Sequence, residues 1–375
     1  MLDLELSTEQ DLLRSTVRGL CETYCPLVTV RELEDGAVDF STELWHQFGE
    51  MDLIGLMLPE QFGGAGMGVV EGVILYEELG RSLAPSPHFV SAVLCGQAIS
   101  RAGDDRLRET WLPRIVTGDA ILTPAWLEPD GSFGPRGVRA HAERRGDGWA
   151  LTGTKRHVMI ASSAERLLVL ARTGEATDDI DLFLVDPRAE GVTLTQQFTL
   201  ASDSQYLVDF DAVALGAGDR VGAAGSGWET WTRVMYDAVI LAAAQAMGGA
   251  QRAFELSVQY AKDRYQFDKP LGAFQALAHN LADASASVSG GTELVHEAAW
   301  ARDAGRSTER LAPMAKLFAT RTFRDVTALA EHLHGGNGFT VDFDVQLYFR
   351  RAKSLQLNWW DTYHLEEMVA DAVLG

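Results

Sequence analysis

The chain shows three successive patterns of hydrophobic and polar residues. From Ser7 to about Gly118, apolar residues recur at helical spacing, as in TEQDLLRSTVRGLCETY. From about Asp119, short β-branched runs such as RLLVLART and DIDLFLVDP alternate with Gly, Asp and Pro. Long helical patterns return after GAAGSGWE and continue almost to the end. We therefore predict an α-helical domain over 1–118, an antiparallel β domain over 119–225 and a second helical domain over 226–375.

Two local patterns refine the first region. Ser7 and Gln10 have the spacing of a capping box, which predicts a helix beginning just after Ser7. The glycine-rich stretch LMLPEQFGGAGMGVVEG matches neither G-x-G-x-x-G nor a P-loop, because no βαβ unit surrounds it and the Lys-Ser/Thr pair is missing. We interpret it as a tight connection whose glycines adopt positive φ.

Composition narrows the range of partners. The 375 residues carry a formal net charge of -21, which repels phosphate backbones and anionic headgroups, so we expect neither nucleic acid nor a membrane as partner. No apolar run approaches the ~20 residues of a membrane span, and the N-terminus does not resemble a secretion signal. The three cysteines are too few and too scattered for a disulfide framework or a zinc site. A cytoplasmic protein is expected.

The segment AKDRYQFDKPLGAFQ contains residues that suit a phosphate-bearing cofactor. Arg264 lies at the end of one predicted helix and Gln275 near the start of the next, with Phe267 between them. An arginine can bind a pyrophosphate with two parallel hydrogen bonds, and a glutamine can bond a cofactor edge. A helical hairpin with a solvent-exposed arginine explains the same pattern, and the sequence leaves both interpretations open.

A second glycine-rich stretch, EHLHGGNGF, closes a predicted helix. His332 and His334 are two residues apart and point to different faces of a helix, which argues against a shared metal ion. Gly335 and Gly336 end the helix and let another chain or a cofactor approach the backbone closely.

Four segments together resemble the acyl-CoA dehydrogenase family over essentially the whole chain. They are GLMLPEQFGGAG, GWALTGTKRHV, AKDRYQFDKPLGAFQALAHNLAD and HLHGGNGF, in the order and on the secondary structure that the family shows. The resemblance implies an α+β fold with an N-terminal helical domain, a middle antiparallel β-barrel or sandwich and a C-terminal four-helix bundle.

The same resemblance implies FAD-dependent α,β-dehydrogenation of an acyl-CoA thioester in a homo- or hetero-tetramer. A carboxylate would remove the α-proton, the β-hydrogen would leave as hydride, and electrons would pass to an electron-transfer flavoprotein. A flavin oxidase or monooxygenase on the same fold is an alternative, as is a non-catalytic partner subunit.

Family motifs can be transferred to this chain position by position. Arg264, Phe267 and Gln275 would contact the FAD of a neighbouring subunit, and His332, Gly335 and Gly336 stand where Gln-x-x-Gly-Gly backs the adenosine. Asp268 replaces a family glycine. In the β domain, LEPDGSFG and HVM replace the usual flavin motifs and leave four candidate cofactor residues: Glu128, Ser132, His157 and Met159.

The catalytic base is the main departure from the family. Trp359 stands where most members carry a glutamate, and Ala238 stands at the alternative position of a second group. The candidate bases are therefore the nearby carboxylates Asp361 and Asp237. The WWD segment also resembles a subgroup of actinobacterial steroid-side-chain dehydrogenases that form α2β2 complexes, which implies a bulky steroid or branched acyl-CoA as substrate.

Overall fold

The computed structural model describes residues 6–34, 36, 38–129 and 131–374. The chain forms two compact units. One, the helical unit, consists of Met1–Glu32, Gly68–Ala84 and Val239–Gly375, and the other, the sheet unit, of Leu33–Met67 and Pro85–Ala238. The first predicted region contributes to both units, and the boundaries of the three predicted domains stay a prediction.

The helices follow the predicted pattern at both ends of the chain. In chain order they are α1 Thr8–Tyr24, α2 Leu27–Leu33, α3 Thr42–Glu50, α4 Val69–Ser82, α5 Gln97–Ala102, α6 Asp105–Val116, α7 Gly227–Asp263, α8 Gln275–Asp303, α9 Leu311–His334, α10 Val345–Leu357 and α11 Thr362–Leu374, with a π-helix at Phe89–Gly96. The predicted capping box is confirmed, since Ser7 Oγ accepts from the Gln10 backbone N–H and Gln10 Oε1 accepts from Ser7 N–H. Among the described residues no helix is long and apolar enough to cross a membrane.

The helical unit is built around α9. Helices α8, α10 and α11 pack against it, and α4 packs on α1 and α8. Small buried residues on α9, among them Ala312, Ala315 and Ala319, let the neighbouring helices approach its axis closely. A charged side chain, Lys316, lies on this helix beside Ala315 and is fully buried.

The sheet unit contains an eight-stranded sheet. Its strands are β1 Leu122–Ala125, β2 His141–Arg145, β3 Gly148–Met159, β4 Arg166–Arg172, β5 Ile180–Val185, β6 Val192–Gln197, β7 Gln205–Leu215 and β8 Arg220–Val221. Seven of them follow the order β6-β7-β3-β2-β4-β5-β8, and β1 pairs with β4. Alternate residues such as Leu151, Val169, Phe183 and Val208 point into one apolar core.

The prediction of a purely antiparallel sheet was wrong in two places, because β4 pairs in parallel with β1 and, through Arg172 opposite His141, with β2. β1 runs parallel to β4, with Leu122 opposite Arg166. The β2–β3 hairpin lies between them in sequence, so the chain returns beside β1 in its original direction. The order of a helical region, a sheet region and a helical region is confirmed.

The glycine-rich stretch after α3 is a tight connection, as predicted. Gly63 and Gly66 adopt φ of 90° and 63°. A Cβ on Gly64 would lie 2.2 Å from the Leu58 carbonyl oxygen, so only glycine fits the turn without displacing backbone. This geometry gives the stretch a structural explanation that needs no phosphate.

Candidate functional site

The ends of α7 and α9 lie side by side in the helical unit. The Tyr260 ring stacks on the His334 imidazole with 4.0 Å between ring centroids. Arg264 lies one helical turn after Tyr260, and its backbone N–H donates to the Tyr260 carbonyl. The two segments that carry the predicted cofactor contacts therefore meet at one end of this unit.

The α7–α8 connection is a short β-hairpin. Its strands, β9 at Tyr265–Gln266 and β10 at Lys269–Pro270, pair around Phe267 and Asp268, which adopt φ of 53° and 60°. Asp tolerates the left-handed region better than most residues, which explains how Asp268 occupies this turn. The Phe267 ring is 87% exposed, and the Arg264 and Gln275 side chains also reach solvent.

The end of α9 separates its two histidines as predicted. His332 is exposed, whereas His334 is buried and its Nδ1 donates to the Ala330 carbonyl. Burial lowers the pKa of His334, so it stays neutral at pH 7. Gly335 has φ of 59°, and a Cβ on Gly335 or Gly336 would meet no atom within 4 Å, so both backbones face open space.

Six predicted cofactor residues are thus together at one exposed end of the helical unit. They are Arg264, Phe267, Gln275, His332, Gly335 and Gly336. A cation, an aromatic ring, an amide and unobstructed glycine backbone are groups that suit a dinucleotide. Their assignment to FAD stays a prediction, since an exposed arginine is also what the plain-hairpin interpretation expects.

In the sheet unit, the Glu128 carboxylate links β3 to the backbone just before β2. Its Oε1 accepts from Lys155 Nζ at 2.7 Å and from the backbone N–H groups of Arg139 and Ala140 at 2.9 Å each. Lys155 is fully buried, and burial lowers its pKa while Glu128 opposes the change. Glu128 therefore has a structural task, and its role in cofactor binding stays a prediction.

His157 lies in a hydrogen-bonded chain. Its Nδ1 lies 2.8 Å from Gln205 Oε1, and the Gln205 amide donates in turn to Asp203 at 2.7 Å. Because the Gln205 oxygen accepts, Nδ1 carries the proton in the neutral ring and Nε2 is left as an acceptor. The His157 backbone N–H donates to Gln197, and its φ of 54° coincides with an irregularity in the β3–β7 pairing.

The other predicted residues of the sheet unit lie close to these two. The Met159 carbonyl accepts from Thr123 of β1 at 2.6 Å, and Ser132 is exposed on the loop that follows Glu128. The Arg156 N–H donates to the Leu127 carbonyl at 2.9 Å, so this loop begins beside β3. The structure brings the start of the LEPDGSFG segment and the HVM segment together.

Neither candidate base is a free carboxylate. Asp237 is 4% exposed and forms an ion pair with Arg101 of α5. Asp361 is half-buried, and its Oδ1 accepts the His364 N–H at 2.9 Å, so it caps the N-terminus of α11. Asp361 follows the C-terminal end of α10, a helix of 13 residues.

The two tryptophans before Asp361 are packed inside. Trp359 and Trp360 are 7% and 4% exposed and adopt φ of 56° and 69°. Two successive left-handed residues without glycine are uncommon and strained. The position at which the family resemblance predicts a base therefore holds a buried indole in an unusual backbone conformation.

Lys316 is the residue near this turn that the sequence analysis missed. Its Nζ donates to the Trp360 carbonyl at 2.8 Å and to the Leu355 carbonyl at 3.2 Å. Burial lowers its pKa to about 7, and the charge of Asp361 opposes the change. A lone charge within the apolar run LAPMAKLFAT was the signal that could have found it.

Other candidate chemistry adds little to this picture. Among residues 6–34, 36, 38–129 and 131–374, no group of three or more His, Cys, Asp or Glu side chains could hold a metal ion. Cys21, Cys25 and Cys95 are buried thiols. Burial raises the pKa of the Cys21 thiol to about 12, which leaves it protonated and unreactive.

Comparisons with known proteins identify the family. The acyl-CoA dehydrogenase N-terminal domain model matches residues 7–119, and the acyl-CoA dehydrogenase C-terminal domain model matches residues 225–358. The acyl-CoA dehydrogenase FadE27 of Mycobacterium tuberculosis is 32% identical over 91% of this chain and 90% of its own length. The chain belongs to the acyl-CoA dehydrogenase family.

Solved structures agree with this assignment. The ChsE4–ChsE5 complex from Mycobacterium tuberculosis matches with a TM-score of 0.90 and 28% identity over 100% of this chain and 99% of its own. A Tcur3481–Tcur3483 steroid ACAD variant matches with a TM-score of 0.87 and 30% identity over 98% of both chains. The family assignment confirms the predicted fold and makes the chain a flavin-dependent oxidoreductase.

Proposed function

We propose that this chain is an FAD-binding subunit of an acyl-CoA dehydrogenase that introduces an α,β double bond into a bulky acyl-CoA and passes the electrons to an electron-transfer flavoprotein. The observation that carries the proposal is the exposed cluster at the α7 and α9 ends, in a chain that matches both family models. When bound, FAD supplies the acceptor for the hydride from the β-carbon.

The residues present fit such a cofactor. The Arg264 guanidinium is exposed and suits a pyrophosphate, for which a protein of net charge -21 needs a local cation. Gly335 and Gly336 leave room against the backbone where a side chain would fill it. Phe267 and Gln275 add a ring face and an amide on the neighbouring hairpin and helix.

A second chain is part of the proposal. Large apolar side chains are exposed around the same end of the helical unit, namely Phe267 at 87%, Phe339 at 75% and Val341 at 76%. Exposed apolar clusters of this kind are typical of interaction sites. The ChsE4–ChsE5 complex and the Tcur3481–Tcur3483 steroid enzyme contain similar chains. By analogy, we propose that this chain forms a heteromeric tetramer and acts on a steroid-type acyl group.

FAD binding can be tested without measuring turnover. Arg264→Ala should weaken FAD binding about 10- to 100-fold, because it removes a charge-assisted contact of roughly 1.5–3 kcal/mol. Quenching of flavin fluorescence measures the dissociation constant. Arg310→Ala is the matched control, since Arg310 is also exposed on the helical unit but belongs to neither segment of the cluster. Equal FAD affinity in both variants would contradict the proposed site.

The proton-abstracting group is assigned to Asp361 as a testable hypothesis. Asn is as good a helix cap as Asp, so Asp361→Asn should keep the N-cap of α11 and the fold. The variant should retain bound FAD but lose its reduction by acyl-CoA, since an amide cannot accept the α-proton. Normal reduction would remove Asp361 from consideration.

A second candidate function is that of a partner subunit without its own base. The specific observation in its favour is that Asp361 caps α11 and Asp237 is paired with Arg101. Such a subunit would bind FAD or complete its site but would reduce it only when a second chain is present. Reduction of FAD by acyl-CoA in the isolated chain would exclude this role.

A further inference from the structure

We propose that Lys316 is the positioning residue of the Trp359–Asp361 turn, and that the charge on its amine sets how tightly the turn is held: the neutral amine holds it closed, and charging the amine loosens it. The inference does not depend on the proposed function, because it concerns contacts inside the helical unit.

The contacts of Lys316 explain why it can act on the turn. Its amine donates to the Leu355 carbonyl in the last part of α10 and to the Trp360 carbonyl just before α11. One side chain of α9 therefore binds both ends of the α10–α11 connection. The side chain is fully buried, so in the closed turn no water competes for either bond.

The turn needs such a restraint. Trp359 and Trp360 adopt φ of 56° and 69°, and each left-handed residue other than glycine costs roughly 1–2 kcal/mol. The two indoles are buried, and Asp361 contributes its cap to α11. Burial of the indoles and the bonds to Lys316 and Asp361 offset the strain of the backbone.

The electrostatic surroundings of Lys316 are asymmetric. Asp361 is the charge that acts on the amine and favours its protonated form. On α11, His364 lies beside Trp360 with ring centroids 5.7 Å apart, and Glu366 is paired with Arg321 of α9. On α10 the Lys353 amine donates to Gln356.

On α8, the helix packed on the other side of α9, His296 is bound to Glu77 of α4. Of these groups, the Asp361 carboxylate alone opposes the burial of the Lys316 charge.

The direction of the effect follows from linkage. A closed turn keeps Lys316 dry, with a pKa of about 7, whereas an opened turn would let water reach the amine and restore its ordinary value near 10.5. Protonation therefore favours the open turn. The turn is therefore held more tightly as pH rises from about 7 towards 10.5, and below pH 7, where both states hold the proton, the effect levels off.

Hydrogen exchange measures this directly on the chain without added cofactor. In the wild type, protection of the amides in 355–365, corrected for intrinsic exchange, should fall about tenfold between pH 8 and pH 6, most of it above pH 7, because opening takes up about one proton only above the pKa of the closed turn. Protection that stays constant across this range would overturn the proposal.

Variants separate the proposal from a merely structural role of Lys316. Lys316→Met should make protection in 355–365 independent of pH, and Lys316→Arg, which stays charged, should keep it low throughout. Asp361→Asn removes the opposing charge and should move the wild-type midpoint to lower pH, a shift that needs no change at position 316.

His364→Gln is the control for the neighbouring imidazole and should leave the midpoint unchanged. Because Asp361 also raises the pKa of His364, the position-316 variants decide between the two groups. If the midpoint disappears in His364→Gln and persists in Lys316→Met, the titrating group is His364 and the proposal is wrong.

Discussion

Two lysines in the described part of the chain are fully buried, one in each unit, and their hydrogen-bond partners differ. Lys155 of the sheet unit contacts the carboxylate of Glu128 at 2.7 Å, and the Trp126 carbonyl at 3.3 Å accepts as well. Lys316 of the helical unit donates to two backbone carbonyls, and its effective charge partner, Asp361, is committed to a helix cap. The first is a buried ion pair, whereas the second is a buried amine that donates to two carbonyl groups.

The difference shows what each arrangement is suited to. A buried ion pair is costly to break because the remaining charge has no water. A buried ammonium without a bonded carboxylate can lose its proton near neutral pH, and it then remains a hydrogen-bond donor without the desolvation cost of the charge. In the sheet unit, the Lys155–Glu128 ion pair thus links β3 to the LEPDGSFG loop permanently. In the helical unit, the hydrogen bonds of Lys316 depend on the protonation state of its amine.

The largest expected effect comes from breaking the buried ion pair. Lys155→Met should lower the free energy of unfolding by about 3–5 kcal/mol, because Glu128 would remain buried without its cation. Chemical denaturation of the variant measures the loss. The double variant with Glu128→Gln should recover part of it, and an additive, larger loss in the double variant would show that the pair is not the source.

A smaller loss of unfolding free energy is expected when the hydrogen bonds of Lys316 are removed. Lys316→Met leaves the Leu355 and Trp360 carbonyls unbonded and should cost about 1–3 kcal/mol at pH 8. Below pH 7 the Lys316 amine is protonated in both the folded and the unfolded wild-type chain, and burial of its charge destabilises the folded state by an amount that does not change with pH. As pH rises from about 7 towards 10, the unfolded chain holds more protons, so wild-type stability rises relative to the variant. A stability difference that is flat or falls with pH would contradict the assignment.

The cap at Asp361 should contribute less. Asp361→Ala removes the acceptor for the His364 N–H and should cost about 1 kcal/mol, whereas Asp361→Asn should cost a few tenths. Thermal unfolding of the two variants side by side gives the comparison. Equal losses in both would mean that the charge of Asp361 beside Lys316, rather than its cap, is what stabilises the turn.

The smallest effect is expected at Glu331. Both of its carboxylate oxygens are buried with no hydrogen-bond partner among the described residues, and burial raises its pKa. The folded chain therefore loses stability as pH rises through the ordinary range of a glutamate, and Glu331→Gln should remove that loss. A slightly higher melting temperature at pH 7, with no gain at pH 4, is the expected result. A lower melting temperature at pH 7 would reveal a partner for the carboxylate.

Much of the fold could be predicted from hydrophobic spacing. Helical periodicity located α1 and α7, and the Ser7 capping box located the start of α1. The parallel pairing of β1 with β4 could not be predicted, because strand direction depends on which distant strands meet and not on local pattern.

The candidate site could be predicted where its residues belong to contiguous motifs, and could not be predicted where contacts join distant segments. Arg264 and Gly335 belong to contiguous motifs, and the structure brings them to one end of the helical unit. The contacts of Asp361 and Asp237 depend on residues far away in sequence, Arg101 among them, so the sequence showed two available carboxylates where the structure shows a cap and an ion pair. Lys316 was missed because its partners are backbone carbonyls of another segment.

The most direct test of the proposed function is anaerobic reduction of bound FAD by acyl-CoA thioesters of increasing bulk, followed by flavin absorbance, in the isolated chain and in its heteromeric complex. The account predicts that FAD binds stoichiometrically, that a bulky steroid-type thioester bleaches it, and that Asp361→Asn binds FAD but is not bleached. A protein that binds no FAD in either state, or whose FAD no acyl-CoA reduces, would contradict it.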